Sequence, residues 1–263
     1  MHVFLENLMC AIAQIRCSRA SQRSACFNCG MALVFDLETI GEEWDSFDET
    51  TQHALTRWAK RESKTDEEFE VAVKDLREGL GFSPLTGEIV AIGVYDTEKR
   101  KGAVYFQAPG AKLEETEEDG IRYKPMGEKE MLENFWEGAK QYREFVTFNG
   151  RGFDAPFLAI RSMVHGIRPT KDLLRGRYLY QQRDDAIHID LQDQLTFYGA
   201  WHKRPSIHLF CRALGIESPK EGGAGDEVAP MFKAGQYLDI ARYNAGDIRA
   251  TAALYERWNA TLR

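Results

Sequence analysis

The chain has no apolar run approaching the roughly 18 to 20 residues that a bilayer-spanning helix needs, so a soluble, cytoplasmic protein without a membrane partner is expected. It also lacks an excess of basic charge. A net charge of −7 and a pI near 5.5 argue against a passive nucleic-acid coat held by a positive surface. They leave room for an enzyme that touches an anionic substrate through a local groove. Cysteine is scarce where a core would lie: four of the five (Cys10, Cys17, Cys26, Cys29) fall in the first thirty residues. Only Cys211 remains in the body, which excludes a disulfide framework there. The glycine cluster Gly222 to Gly225 lacks the Lys-Ser/Thr and the strand-to-helix setting of a phosphate-cradling loop.

What is present divides into two parts. Residues 1–30 carry one acid, Glu6, with scattered Arg16, Arg19 and Arg23, and show no clear periodicity. Cys26 and Cys29 invite a zinc reading, but Cys10 and Cys17 do not form the second knuckle that a ribbon uses. This segment reads as an appended tail, or as an extension upstream of a start at Met31; a transit peptide fits the arginines but lacks a cleavage signal. The body, 31–263, is long enough for one domain with a sizeable core.

Within the body, residues 31–38 read as a strand and 42–80 as a charged helical insertion with solvated faces. Gly87 to Tyr95 and Gly102 to Gln107 read as strands joined by a turn near Asp96 to Lys101, which places three antiparallel strands early in the chain. The acidic stretch Glu114 to Asp119 reads as a solvated loop. Beyond Gly127 the pattern predicts a helix, a strand at Phe145 to Phe148, a helix at Asp154 to Val164 and a strand at Ala186 to Leu191. Helices follow around Ser206 to Leu214 and Ile240 to Leu262. An antiparallel hairpin sheet extended by βα units gives an α/β fold, a mixed sheet flanked by helices in the ribonuclease H-like layout.

Four acids stand out against this layout: Asp36 and Glu38 on the first strand, Asp154 at a loop–helix junction, and Asp247 on the last helix. Asp36 and Glu38 at i and i+2 leave one face of the strand, where two like charges repel unless a cation lies between them. Each acid has an ordinary explanation too. Asp36 and Glu38 could mark a polar strand end, Asp154 before Ala-Pro could be a helix cap, and Tyr243 and Asp247 at i and i+4 share a face as any amphipathic pair does. Asn149, Gly150 and Gly152 could simply make a turn. The conjunction of all four, each flanked by apolar segments, favours a hard divalent-metal site. Asp190, in His188-Ile189-Asp190, reads as a structural hydrogen-bonding residue rather than a fifth ligand. Arg151 to Arg183 carries seven Lys or Arg against Asp154 and Asp172, and is the stretch where phosphate contacts are expected; Lys203 and Arg204 are a further basic pair.

These segments resemble the DEDDy group of 3′–5′ exonucleases, most closely the exonuclease domain of family-B DNA polymerases and its predicted stand-alone relatives. Asp36-Leu37-Glu38-Thr39 is similar to the first family motif, Asn149, Phe153 and Asp154 to the second, and Tyr243 with Asp247 to the third. Arg242 stands where a sister group carries histidine, so the tyrosine subtype is implied. The likeness spans about residues 31 to 260 and includes Ser83 to Gly93 and His188 to Leu191. The resemblance implies two Mg²⁺ or Mn²⁺ ions bridged by Asp36. Glu38 and Asp247 would complete one site, Asp154 would hold the other, and Tyr243 would orient the attacking water. It places Thr39, Asn149, Arg151 and Phe153 at the terminal nucleotide, with Phe153 offering a face on which a base can stack. Too few residues remain for polymerase palm, thumb and fingers, so no polymerase activity is expected.

The implied activity is removal of nucleoside 5′-monophosphates from the 3′ end of single-stranded DNA, with a polymerase or a repair protein as a conceivable partner. An exoribonuclease uses the same site residues, and a non-catalytic nucleic-acid-binding subunit is the alternative from another class.

Overall fold

Residues from Ala32 onward bury alternate side chains on two faces, and this pattern makes β1 (Ala32–Gly41) the strand on which the rest is arranged. In the computed structural model, which describes residues 31–218 and 227–263, six further strands complete the sheet. They are β2 (Gly87–Asp96), β3 (Lys101–Phe106), β4 (Thr116–Glu118), β5 (Ile121–Pro125), β6 (Glu144–Thr147) and β7 (Ile187–Asp190). Their order is β4-β5-β3-β2-β1-β6-β7. The pairs β1–β2, β2–β3 and β4–β5 are antiparallel, whereas β3–β5, β1–β6 and β6–β7 are parallel. This is the mixed sheet anticipated from the hairpin and βα texture. The segment 1–30 with its cysteine pair, and the Gly222 to Gly225 cluster, lie outside the described residues.

The two faces of β1 meet different helices. Leu33, Phe35 and Leu37 point toward α3 (Glu128–Ala139), where the Phe35 and Phe135 rings meet edge to face at 5.3 Å. Ala32, Val34, Asp36 and Glu38 point the other way, toward α8 (Tyr237–Thr261), which packs Ile240, Ala241, Ala245, Ile248 and Tyr255 onto the sheet. Period-2 alternation thus sends both carboxylates beneath the long helix. The predicted insertion is two helices, α1 (Glu49–Glu62) and α2 (Asp66–Glu78), which bury only Ala59 between them, consistent with their charge density. Asp48 and Thr65 cap them by accepting from Thr51 N and Glu68 N. Among the described residues no helix is long and apolar enough to cross a membrane.

One expectation fails. The acidic stretch at 114–119 is not a bare loop: Thr116–Glu118 forms the edge strand β4, turned into β5 by Asp119 (φ 49°) and Gly120 (φ 77°). An Asp-Gly pair with both φ positive is a hairpin turn whose twist matches the strands. The strand escaped notice because an exposed edge carries charge instead of alternating apolar residues.

Candidate active site

β1 outruns its parallel neighbour. Pairing with β6 covers only Ala32 to Val34, so past that point the edge of β1 facing β6 has lost its strand partner. There the backbone N–H of Leu37 donates to Asp154 Oδ1 at 3.0 Å. Asp154 is the first residue of α4 (Asp154–Val164), and the capping position before it belongs to Phe153. Its carboxylate therefore does not cap its own helix; it ties that helix to the strand carrying Asp36 and Glu38.

On the α8 side, Asp36, Glu38 and Asp247 each offer one oxygen within 4.8 Å of the others. Glu38 is 6% exposed and Asp154 3%, while Asp36 and Asp247 are half-buried. Burial, then the charges of Asp154, Asp247 and Glu38, hold the Asp36 carboxyl well above the usual carboxylate range. Glu38 is raised by burial and by Asp247, against a lowering hydrogen bond from Asn244. Asp154 and Asp247 are each pushed up to about 7, chiefly by burial; bonds from backbone N–H groups to Asp154 and from Tyr243 to Asp247 oppose the shift. Three carboxylates gathered this closely, with the charge of Asp154 also felt at Asp36, offer hard oxygen donors that fit a divalent cation such as Mg²⁺ or Mn²⁺. Tyr243 hydrogen-bonds Asp247 one turn along α8, and burial with the surrounding carboxylates keeps its phenol protonated.

The remaining predicted residues are distributed around this centre. Thr39 Oγ1 donates to Gly81 O at 2.7 Å. Asn149 takes a left-handed φ of 64° and, with Arg151, donates its backbone N–H to the two oxygens of Asp190, each at 2.9 Å. The same carboxylate accepts from Gln192 N and Asp193 N, making Asp190 the anchor of the loop that delivers Asp154. The Arg151 guanidinium reaches the carbonyls of Leu173 and Leu174, and so holds the following loop. Phe153 packs its ring on Phe157 at 5.1 Å and on Phe82 at 6.5 Å. Phe82 itself is 55% exposed, an apolar surface beside the site that the sequence did not flag.

Asn244 is the other residue that sequence reasoning missed. It is fully buried, and its Nδ2 donates to Asp36 Oδ2 at 2.9 Å and to Glu38 Oε1 at 3.3 Å, bridging the carboxylates. Its Oδ1 has no hydrogen-bond partner among the described residues. The available signal was a polar residue interrupting the apolar stripe Ile240, Ala241, Ala245, Ile248. Gly93, opposite Asp36 on β2, makes the room: a Cβ there would lie 2.0 Å from Asn244 Oδ1. Gly93→Ala is therefore expected to dislodge Asn244 and weaken metal affinity about 10- to 100-fold, the usual effect of losing a group that orients a ligand. Titration with Mn²⁺ checks this, and unchanged affinity would show that the amide plays no part.

A central strand and a long helix that together gather carboxylates able to hold a metal ion define the class: an α/β protein with an acidic, oxygen-rich site. Within that class, a family described as "Predicted 3'-5' exonuclease related to the exonuclease domain of PolB" matches residues 88–262, and the chain belongs to it. The matched segment contains Asp154, Tyr243 and Asp247; Asp36 and Glu38 precede it and join the same site through β1. The fold is similar to part of the family B DNA polymerase from the hyperthermophilic archaeon Pyrobaculum calidifontis. The TM-score is 0.54 at 16% identity, over 88% of this chain and 25% of the polymerase. The chain thus spans about a quarter of the polymerase it matches, and at this identity the likeness concerns the fold.

Proposed function

We propose that this chain is a DEDDy-type 3′–5′ exonuclease that removes nucleoside 5′-monophosphates from the 3′ end of single-stranded DNA. The observation that carries this reading is the convergence of Asp36, Glu38 and Asp247 within 4.8 Å in a member of an exonuclease family. Two Mg²⁺ or Mn²⁺ ions held by Asp36, Glu38, Asp154 and Asp247 would supply a water of lowered pKa and positive charge for the departing 3′-oxygen. Tyr243, protonated at neutral pH, hydrogen-bonds and orients the attacking water, and Glu38 helps to position it. Phe153, backed by Phe82, stacks the terminal base, with Thr39, Asn149 and Arg151 around the terminal nucleotide. A polymerase or a repair protein would be the partner that delivers such ends.

The test is a 5′-labelled single-stranded DNA oligomer and its RNA counterpart, incubated with Mg²⁺ or Mn²⁺ and with EDTA. The expected result is a ladder shortening from the 3′ end of DNA and abolished by EDTA. Equal or faster loss of RNA would move the reading to an exoribonuclease. Binding without turnover of either strand would leave only a nucleic-acid-binding subunit.

A further inference from the structure

Next to the site lies a surface that the chemistry described above does not use. Tyr178 and Tyr180 stack at 5.7 Å with 12° between their planes, and Tyr198 packs on Tyr178 at 4.7 Å. Tyr180 is 82% exposed, Phe197 60% and Trp201 46%, an unusual concentration of rings facing water. The backbone that presents them is unfavourable: Phe197 (φ 52°), Tyr198 (φ 55°) and Gly199 (φ 94°) are consecutive left-handed residues, two of them bearing a Cβ. Strain of this kind persists where surrounding structure enforces it and is concentrated at ligand-contacting segments. Here it is enforced by the Tyr178–Tyr198 ring contact and by Gln194 Nε2, which donates to Tyr198 Oη at 2.6 Å.

Charge and position identify what this surface fits. Arg175, Lys203 and Arg204 are exposed and stand within five positions of Tyr180 or Trp201 along the chain, and none has an acidic partner among the described residues. In a chain of net charge −7 this is a local basic rim. The surface is also joined to the site. Asp190, which anchors the Asn149 to Asp154 loop, caps α5 (Leu191–Leu195), and the strained turn follows directly. A second route runs through rings, from exposed Trp201 to Phe210 at 6.2 Å and from Phe210 to Phe148 at 6.0 Å, next to Asn149. Flat faces that stack unpaired bases irrespective of sequence, with cations for the phosphates between them, suit one ligand class.

We infer that Tyr180, Phe197 and Trp201, rimmed by Arg175, Lys203 and Arg204, form a stacking platform for the single-stranded nucleic acid that leads into the site. The inference rests on the exonuclease reading only for where the strand ends; binding itself is independent of turnover.

The experiment is fluorescence anisotropy of a labelled oligothymidylate of roughly 16 nucleotides, within the site sizes of single-strand binders, in EDTA so that hydrolysis is absent. Tyr180→Ala, Phe197→Ala and Trp201→Ala are each expected to raise Kd about 10-fold, and a blunt duplex of equal length is expected to bind weakly and without sensitivity to these changes. In the wild type, Trp201 emission is expected to be quenched as the oligomer binds. Circular dichroism of each variant separates loss of binding from loss of fold. Unchanged affinity in all three variants would overturn the platform, as would a concentration-dependent dimer that dissociates in the variants, because the rings would then cover a second copy. A protein that binds the oligomer through these rings but releases no nucleotide under any metal would sink the exonuclease reading and leave the platform standing.

Discussion

Replacing Asp36 by Asn is expected to abolish most nuclease activity while making the metal-free protein more stable to heat at pH 8. The two effects share one cause. Asp36 stands among Glu38, Asp154 and Asp247 in a buried site, and burial together with all three neighbours opposes its ionisation. Asn keeps the shape and can still accept from Asn244 Nδ2, but removes that charge. A metal ligand that stabilises transition-state charge by several kcal/mol corresponds to a loss of about 10³-fold when removed. Relieving one buried like charge is worth about 2 kcal/mol, or roughly 5 °C in Tm for a domain of this size.

The pH dependence follows with a definite sign. Asp154 and Asp247 sit at about 7 in the fold, against about 3.9 for an unfolded Asp. Between those values the folded chain holds more protons than the unfolded one, so stability falls as pH rises through 7. His188 acts oppositely. Burial lowers its imidazole to about 4, with Nδ1 toward Leu173 O and Nε2 toward Thr147 Oγ1, so it withdraws stability as pH falls from about 6.5 toward 4. Above pH 6.5 the His188 contribution changes by less than about 0.5 kcal/mol and the carboxylates dominate. In EDTA the wild-type Tm is expected to rise on acidification from pH 8 to 6.5, Mn²⁺ to raise it most at pH 8, and Asp36→Asn to flatten both trends. Scanning calorimetry of the two proteins decides the matter. A variant less stable than wild type in EDTA at pH 8 would show that the acid cluster is not strained without metal.

Replacing Glu128 by Ala is expected to be the most destabilising single change in the described body, at about 3 to 5 kcal/mol. Glu128 is 6% exposed at the start of α3. Its oxygens accept from Ile89 N at 2.8 Å, from Arg161 Nε at 2.8 Å and Nη2 at 2.7 Å, and contact His165 Nε2 at 2.6 Å. Burial alone would raise its carboxyl, but the Arg161, His165 and Ile89 bonds hold it below the ordinary value. Truncation would leave the Arg161 guanidinium, itself 9% exposed, charged without its acidic partner and with only the 3.5 Å bond to Pro84 O. The consequence reaches the site, because Arg161 and His165 belong to or close the helix that begins with Asp154. Ile89 is also the residue opposite Thr39, where the β1–β2 register shifts. A denaturant titration should show the loss, and Arg161→Met added to Glu128→Ala should recover much of it by removing the orphaned charge. A loss under about 1 kcal/mol would mean that water replaces the carboxylate freely.

Local rules made much of this protein legible in its sequence. An apolar run marked β1, helical spacing marked α8, and helical spacing with dense mixed charge marked the insertion at 42–80. These signals survive without tertiary context because they record each segment's own periodicity and hydrogen-bonding needs. The same periodicity placed Asp36 and Glu38 on one face and Tyr243 with Asp247 on another, before anything showed that the two faces meet.

Local pattern thus yields most of the elements and the chemical kind of the site: acidic, oxygen-rich and divided between a first strand and a last helix. How the parts serve one another is set by contacts between segments far apart in the chain. Asp154, which in isolation reads as a helix cap, gives its carboxylate to Leu37 N because β6 ends where β1 continues. Asn244 bridges Asp36 and Glu38 because Gly93, 151 positions earlier in the chain, leaves a hole above β2. Tyr178 and Tyr198 meet across twenty positions because a left-handed turn sets one ring against the other. Each of these depends on which backbone edge is left open and which side chain is absent across the sheet. Those are properties of pairs distant in sequence, so no local period records them.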